Sequence, residues 1–244
     1  MHRVGFSKNN LDTFIERLRS SETLVATSVF SHLATADCPG MEDFTRQQID
    51  LFERMSVRLM SGLNQKIKRH LLNTAGIATL GDTPAAYDMA RLGIGLYGIS
   101  PVSCGRDKGL RMTARLVSTI ISLNILQAGE TVGYGRKGVV NRESTIATLP
   151  VGYADGIDRR LGNGNAKFIV DGMACPVIGN ICMDLLMLDV TDAVKAGKKV
   201  EIGTEVEIFG PEAPVEKLAE TLGTIPYEIL TSVSPRVRRT YHHR

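Results

Sequence analysis

Four short stretches of the sequence carry side chains able to do acid–base or ionic chemistry. His32 ends an apolar run, Arg91 precedes Gly93-Ile94-Gly95, Tyr134 stands in Val132-Gly133-Tyr134-Gly135, and Cys182-Met183-Asp184 leads into an apolar stretch. Each has an ordinary structural explanation when taken singly. A histidine on an apolar run is commonly a satisfied core residue, a tyrosine between glycines marks a turn, and this glycine spacing alone is no phosphate motif. The four cysteines, Cys38, Cys104, Cys175 and Cys182, include no Cys-x-x-Cys pair. Neither a metal site nor a redox motif is therefore expected, and a disulfide framework does not fit so few cysteines in so long a chain.

The elements that must position these residues fall into two kinds. Up to about residue 108, short apolar runs alternate with helical patterns: strands at Leu24 to Ala34, Ile67 to Leu72 and Gly93 to Tyr97, and helices at Phe44 to Leu63 and Pro84 to Ala90. That rhythm predicts βα units and a parallel sheet. From about residue 110 the pattern turns to β, with strands at Leu116 to Leu126, Ser144 to Pro150, Lys167 to Val170 and Leu185 to Val190. Asp171-Gly172 signals a hairpin. Lys199 to Phe209 reads as a further strand–turn–strand pair around Gly203-Thr204, and Val215 to Leu222 as a short helix. The expected organisation is a βα domain over 1–108 and a β domain over 109–244.

Composition sets outer bounds. Apolar residues make up 43% of the 244 and charged residues 23%, values of an ordinary globular protein. With 29 Lys+Arg against 26 Asp+Glu the net charge is only +3, too little to argue for nucleic acid. The basic tail Arg236 to Arg244 reads as a solvated terminus. No apolar stretch approaches membrane-spanning length, and MHRVGFSKNN has no apolar signal region. The expectation is a cytoplasmic soluble protein.

Taken together and in order, the motifs are far more specific than their parts. Met1-His2-Arg3-Val4-Gly5-Phe6, Ser31-His32-Leu33-Ala34-Thr35-Ala36-Asp37, His70-Leu71-Leu72-Asn73-Thr74 and Arg91-Leu92-Gly93-Ile94-Gly95-Leu96-Tyr97-Gly98 resemble the alanine racemase family. So do Val132-Gly133-Tyr134-Gly135, Pro150-Val151-Gly152-Tyr153-Ala154-Asp155-Gly156, Gly179-Asn180-Ile181-Cys182-Met183-Asp184 and Arg236-Val237-Arg238-Arg239. The resemblance implies α/β plus all-β architecture: part of a TIM-like (β/α)8 barrel that binds pyridoxal 5'-phosphate, then a carboxy-terminal β domain, in a homodimer with shared active sites.

It also implies roles. Thr74, Gly93 and Ile94 match phosphate contacts of the cofactor, and barrel phosphate sites commonly follow strands 7 and 8. Arg91 matches the arginine at the pyridine nitrogen, with His70 orienting it. Tyr134 matches the acid/base on one face of the substrate, with His32 as its partner, since an ordinary tyrosine titrates near 10 and needs help to act as a base. Arg3 and the backbone around Met183 match groups holding the substrate carboxylate, and Tyr153 a residue at the entrance. The reaction implied is interconversion of L- and D-alanine for peptidoglycan synthesis.

Two departures qualify this. The family's cofactor lysine has no counterpart here, because Lys8 is not in a matching context, and about five barrel strands of the usual eight are absent with it. The chain by itself is therefore expected to be inactive. Pro235 stands where the family often has a tyrosine near the phosphate. The rival expectations are a non-catalytic truncated relic or binding module, and a racemase for another small amino acid.

Overall fold

The computed structural model describes residues 1–102 and 109–242, so Cys104, the expected boundary at residue 108 and the end of the basic tail lie outside the described residues. The chain forms two compact units, Met1–Arg111 and Met112–Arg244.

In the first unit, α1 (Leu11–Arg19) lies against the long helix α2 (Glu42–Leu63). Leu11, Ile15, Leu59 and Ile67 form one buried cluster. Gly62 permits the close approach, since a Cβ there would lie 2.8 Å from Ile15 Cγ2. Acidic Glu42 and Asp43 occupy the first turn of α2, where the helix dipole favours them. Asn64 ends it in the left-handed conformation (φ 49°), and Gln65 N–H returns to the Met60 carbonyl. β1 (Ser28–Phe30) pairs in parallel with β2 (Lys68–His70), placing Phe30 opposite His70. His70 also bridges in parallel to Met89. α3 (Thr74–Leu80) follows β2, and Leu33, Phe52, Leu71, Leu72 and Ala85 form the core beneath these segments.

The parallel βα rhythm stands, with differences. The strand expected at Gly93 to Tyr97 is instead a 3-10 turn, Ile94–Tyr97. The Thr74 hydroxyl accepts the N–H groups of Gly93 (2.9 Å) and Gly95 (3.4 Å) and so draws the segment into a turn. The third parallel contact falls earlier, at Met89. The helix expected at Pro84 to Ala90 is only the 3-10 turn Pro84–Ala86, because Tyr87 (φ 48°, ψ −141°) breaks the winding. α1 and α3 were not expected.

The second unit is built on antiparallel sheets. β3 (Leu116–Thr119) and β4 (Ser122–Leu126) divide the single strand expected there. Ile120 N–H bonds to the Thr204 carbonyl and Ile121 N–H to the Thr148 carbonyl, so consecutive residues enter different sheets. β5 (Thr131–Val132) and β6 (Gly138–Val139) form a small pair. β7 (Ser144–Leu149), β8 (Lys167–Val170), β9 (Met173–Pro176) and β10 (Leu186–Asp189) follow, then α4 (Thr191–Lys195) and β11 (Glu205–Phe209). The chain closes with α5 (Val215–Leu222) and α6 (Pro226–Ser232). The sheet orders are β10-β7-β4 and β3-β11-β8-β9.

The β8–β9 hairpin turns at Asp171 (φ 46°) and Gly172 (φ 75°), the conformation its sequence signals. Of the pair expected at Lys199 to Phe209 only β11 forms, because Asp171 Oδ2 takes the Lys199 N–H and Gly203 turns back to the Ile120 carbonyl. Phe168, Leu149, Leu186, Leu188, Val206 and Ile208 fill the core. Glu207 is buried among them, with Arg115 Nε (2.9 Å) and the N–H groups of Glu212 (2.7 Å) and Ala213 (3.0 Å) donating to its carboxylate. A buried acid so paired avoids the penalty of an orphaned charge.

Candidate active site

In the first unit the ends of β1 and β2 bring His32, His70 and Arg91 together. Arg91 Nη1 donates to His70 Nδ1 (3.0 Å) and to the His70 carbonyl (3.2 Å). Its Nη2 donates to the carbonyls of Ser31 (2.7 Å) and Leu71 (3.2 Å) and faces His32 Nδ1 at 3.4 Å. The Phe30 ring lies 5.2 Å beneath the guanidinium and stacks on the His70 ring. Arginine only donates, so Nδ1 of His70 must be the bare nitrogen, and its proton sits on Nε2, 3.4 Å from Ser28 Oγ.

His32 has donors at both ring nitrogens. Asn73 Nδ2 lies 3.3 Å from its Nε2, and the Asn73 amide is oriented because Oδ1 accepts the Gly76 N–H at the start of α3. An imidazolium would point two N–H groups at two donors. Burial first, then the charge of Arg91, hold both histidines below the ordinary range; Arg3 adds to this at His32, and Asp37 opposes it. Burial lowers Arg91 as well, yet an arginine stays a cation at any working pH.

Thr74, at the first position of α3, is buried and touches the Gly93 segment through its hydroxyl; Ile94 is buried beside it. A Cβ at Gly93 would meet only Thr74 Oγ1, at 3.6 Å, so its backbone stands open to an approaching group. Arg3 is exposed.

In the second unit Tyr134 opens a 3-10 turn and is 72% exposed. Tyr153 and Met183 are partly exposed and share one stitched region. Tyr153 N–H donates to the Cys182 carbonyl and Ala154 N–H to the Met183 carbonyl. Gly152 allows this contact, since a Cβ there would lie 2.3 Å from the Cys182 oxygen. Arg236 clamps the region, its Nε donating to Asp155 (2.6 Å) and Nη2 to Asp184 (2.5 Å). The arginine, with the Gly152 N–H bonded to its other oxygen, holds the Asp155 carboxyl below the usual range against the opposing effect of burial.

Sequence reasoning missed Asn73, Asn163, Asn180 and the Asp155–Arg236–Asp184 clamp. Only Asn73 left a signal, an amide immediately before a helical Thr-Ala-Gly run. Among the described residues no cluster of three His, Cys, Asp or Glu could hold a metal, and no helix is long and apolar enough to cross a membrane.

A parallel βα unit carrying a histidine-flanked arginine, followed by an antiparallel domain, defines a chain of the barrel-plus-β-domain class. The family models for alanine racemase match it twice, the N-terminal domain over residues 1–101 and the C-terminal domain over 113–241. The chain belongs to the alanine racemase family. It is 39% identical to alanine racemase 1 of Caldanaerobacter subterraneus subsp. tengcongensis, over 99% of this chain and 62% of the relative. Alanine racemase 1 of Clostridium acetobutylicum is 38% identical over the same shares.

Solved structures agree. The Clostridium difficile 630 alanine racemase complexed with cycloserine has a TM-score of 0.85 and 33% identity over 95% of this chain and 60% of that one. The Bartonella henselae enzyme with covalently bound pyridoxal phosphate gives 0.81 and 32%, over 99% and 64%. The first unit is thus part of a TIM-like barrel and the second is the β domain that follows it. The chain spans about 62% of the length of the curated relatives it matches.

Proposed function

We propose that the whole protein interconverts L- and D-alanine with pyridoxal phosphate as cofactor, dividing its work between a barrel part over 1–108 and a β domain over 109–244. The observation that carries this is Arg91, a cation held by backbone carbonyls and Nδ1 of His70 and flanked by two histidines that burial and its own charge hold low. Bound in the first unit, the cofactor supplies the electron sink that lets a Cα proton leave. Arg91 would be the residue at its ring nitrogen and, being permanently charged, would keep that nitrogen unprotonated, which limits side reactions. His70 fixes Arg91. Thr74, Gly93 and Ile94 receive the phosphate: the Thr74 oxygen accepts from Gly93 and keeps its own hydrogen to donate.

Tyr134 moves the proton on one face of Cα, with His32 as its partner, and a lysine serves the opposite face. Arg3 and the backbone at Met183 hold the substrate carboxylate, and Tyr153 narrows the entrance. The protein works as a cytoplasmic homodimer whose subunits share sites, and its product serves peptidoglycan synthesis. A second reading, racemisation of another small amino acid, rests on Pro235 alone.

The test is exchange of the Cα hydrogen in deuterated solvent, followed separately from each enantiomer. The whole protein should exchange both, and Tyr134→Phe should slow exchange from L-alanine by about 10²–10⁴-fold while sparing D-alanine. Equal slowing from both sides would remove Tyr134 from its assigned face; no exchange by the unaltered protein would end the racemase reading.

A further inference from the structure

Tyr134 combines an exposed side chain with a backbone gripped from several directions. Its carbonyl accepts Asn180 Nδ2–H at 2.9 Å, and Asn180 Oδ1 accepts Asn163 Nδ2–H at 3.0 Å. Asn163 is itself anchored, left-handed at φ 57° with its N–H on the Gly179 carbonyl at 2.9 Å. Because Asn163 supplies a donor, the oxygen end of the Asn180 amide must face it, and the nitrogen end must face Tyr134. The chain around Tyr134 lies directly on the Asn180 segment. A Cβ at Gly133 would be 3.4 Å from Asn180 N, one at Gly138 would be 2.8 Å from Gly179 N, and one at Gly179 would be 2.7 Å from the Val132 oxygen.

Three of the four residues at 133–136 have positive φ, and one of them, Arg136 (φ 53°), is not glycine. Such strain persists where surrounding contacts over-determine the backbone, and it gathers at functional positions. Here Arg136 Nε bonds Thr131 Oγ1 (3.1 Å).

We propose that Asn180, braced by Asn163, is a positioning residue that aims Tyr134 for proton exchange at Cα; the inference rests on the acid–base role proposed above. Asn180 also begins the segment that carries Met183, whose carbonyl is bonded to Ala154 N–H. The amide therefore ties the turn of the proton-transferring tyrosine to a segment that is itself held in place. A misplacement near 1 Å can lower a rate by about 100-fold, so a rigid tie has kinetic value.

The test has two arms. In the ¹⁵N-labelled 244-residue chain, backbone order parameters at 133–136 should be about 0.85 and should fall below about 0.6 in Asn180→Ala. In the whole protein, Asn180→Ala and Asn180→Asp should slow exchange from L-alanine by roughly 10–100-fold and leave exchange from D-alanine far less affected. Asn163→Gly keeps the left-handed backbone and should act in the same direction, more weakly; it decides the matter if the Asn180 variants do not fold. Placed on a Tyr134→Phe background, Asn180→Ala should add nothing, because a residue acting only through Tyr134 has nothing left to position. Full additivity there, or unchanged order parameters with unchanged exchange, would overturn the proposal. Loss of L-side exchange in Tyr134→Phe with none in the Asn180 and Asn163 variants would overturn it alone, whereas an inert Tyr134→Phe removes the acid–base reading beneath it.

Discussion

The Arg91 guanidinium donates to the carbonyls of Ser31, His70 and Leu71 and to Nδ1 of His70, with Nδ1 of His32 at 3.4 Å. A lysine in its place keeps the charge but not the planar fork, so it cannot serve both histidines and the carbonyls at once. Arg91→Lys should destabilise the first unit, by about 1–3 kcal/mol for each acceptor left buried and unpaired. Urea denaturation followed at the first unit measures this, and an unchanged midpoint would mean that water replaces the fork. The two histidines add a pH dependence. Both titrate lower folded than unfolded, so as pH falls through about 6.5 the unfolded chain takes up protons that the folded chain refuses. Stability of the first unit should therefore be level above about pH 7 and fall between pH 7 and 5, before the carboxylates of Asp12 and Glu53, held low by their partners, begin to matter. A midpoint that rises on acidification would contradict the lowered titration of the two histidines.

At the scale of elements, the segment from Gly152 to Gly156 packs through glycines with no room to spare. A Cβ at Gly156 (φ 103°) would stand 2.3 Å from the Ser232 carbonyl oxygen, backbone against backbone. Gly156→Ala should destabilise the second unit by ~2 kcal/mol or more, from steric overlap and the lost left-handed freedom together. Thermal melting of that unit reads it, and Gly164→Ala (φ 85°, with open space around it) isolates the conformational part. Such close approaches are invisible in sequence, where Gly156 and Gly164 look alike. What was legible were elements with strong local codes: the period of α2, the Asp171-Gly172 turn, the β-branched runs of β7 and β8. The strand expected at Gly93 to Tyr97 failed because the Thr74 hydroxyl, distant in sequence, competes for its backbone. The single run Leu116 to Leu126 divided because its two middle residues bond to different sheets, a decision made by Thr204 and Thr148. The ordered motifs identified the candidate residues, but the amides that orient them carry no such signature.

For the molecule as a whole, the two units differ in how far their strands are paired. Among the described residues the first leaves Leu24, Val25, Phe30 and Leu96 each more than 60% exposed, beside a sheet of two strands. Unpaired edges and exposed apolar patches favour association. The second exposes Ile125 and Ile202 to the same degree but pairs its strands into sheets of three and four. Limited proteolysis of the 244-residue chain should therefore leave a fragment beginning near Met112, and survival of residues 1–111 in its place would reverse this ranking. The proposed sharing of sites between subunits has its own check. Mixing whole protein carrying Tyr134→Phe with whole protein altered at the cofactor lysine should restore activity, since one site of each heterodimer would hold neither defect. No recovery despite proven subunit exchange would confine Tyr134 to its own chain.

The placement of β11 between β3 and β8 has a consequence for synthesis on the ribosome. Arg115, at the entry to β3, finds its partners Glu205 and Glu207 only 90 and 92 residues later. At about 5–20 residues per second, β3 waits roughly 5–20 s after leaving the exit tunnel before its neighbour exists. During that interval β3 and the sheet-switching Ile120 lack the β11 side of their native pairing. Nascent chains arrested before residue 205 has emerged should leave β3 open to protease, and chains arrested after residue 232 has emerged should protect it, so the sheet that holds β11 closes later than the β10-β7-β4 sheet, whose strands all precede residue 190.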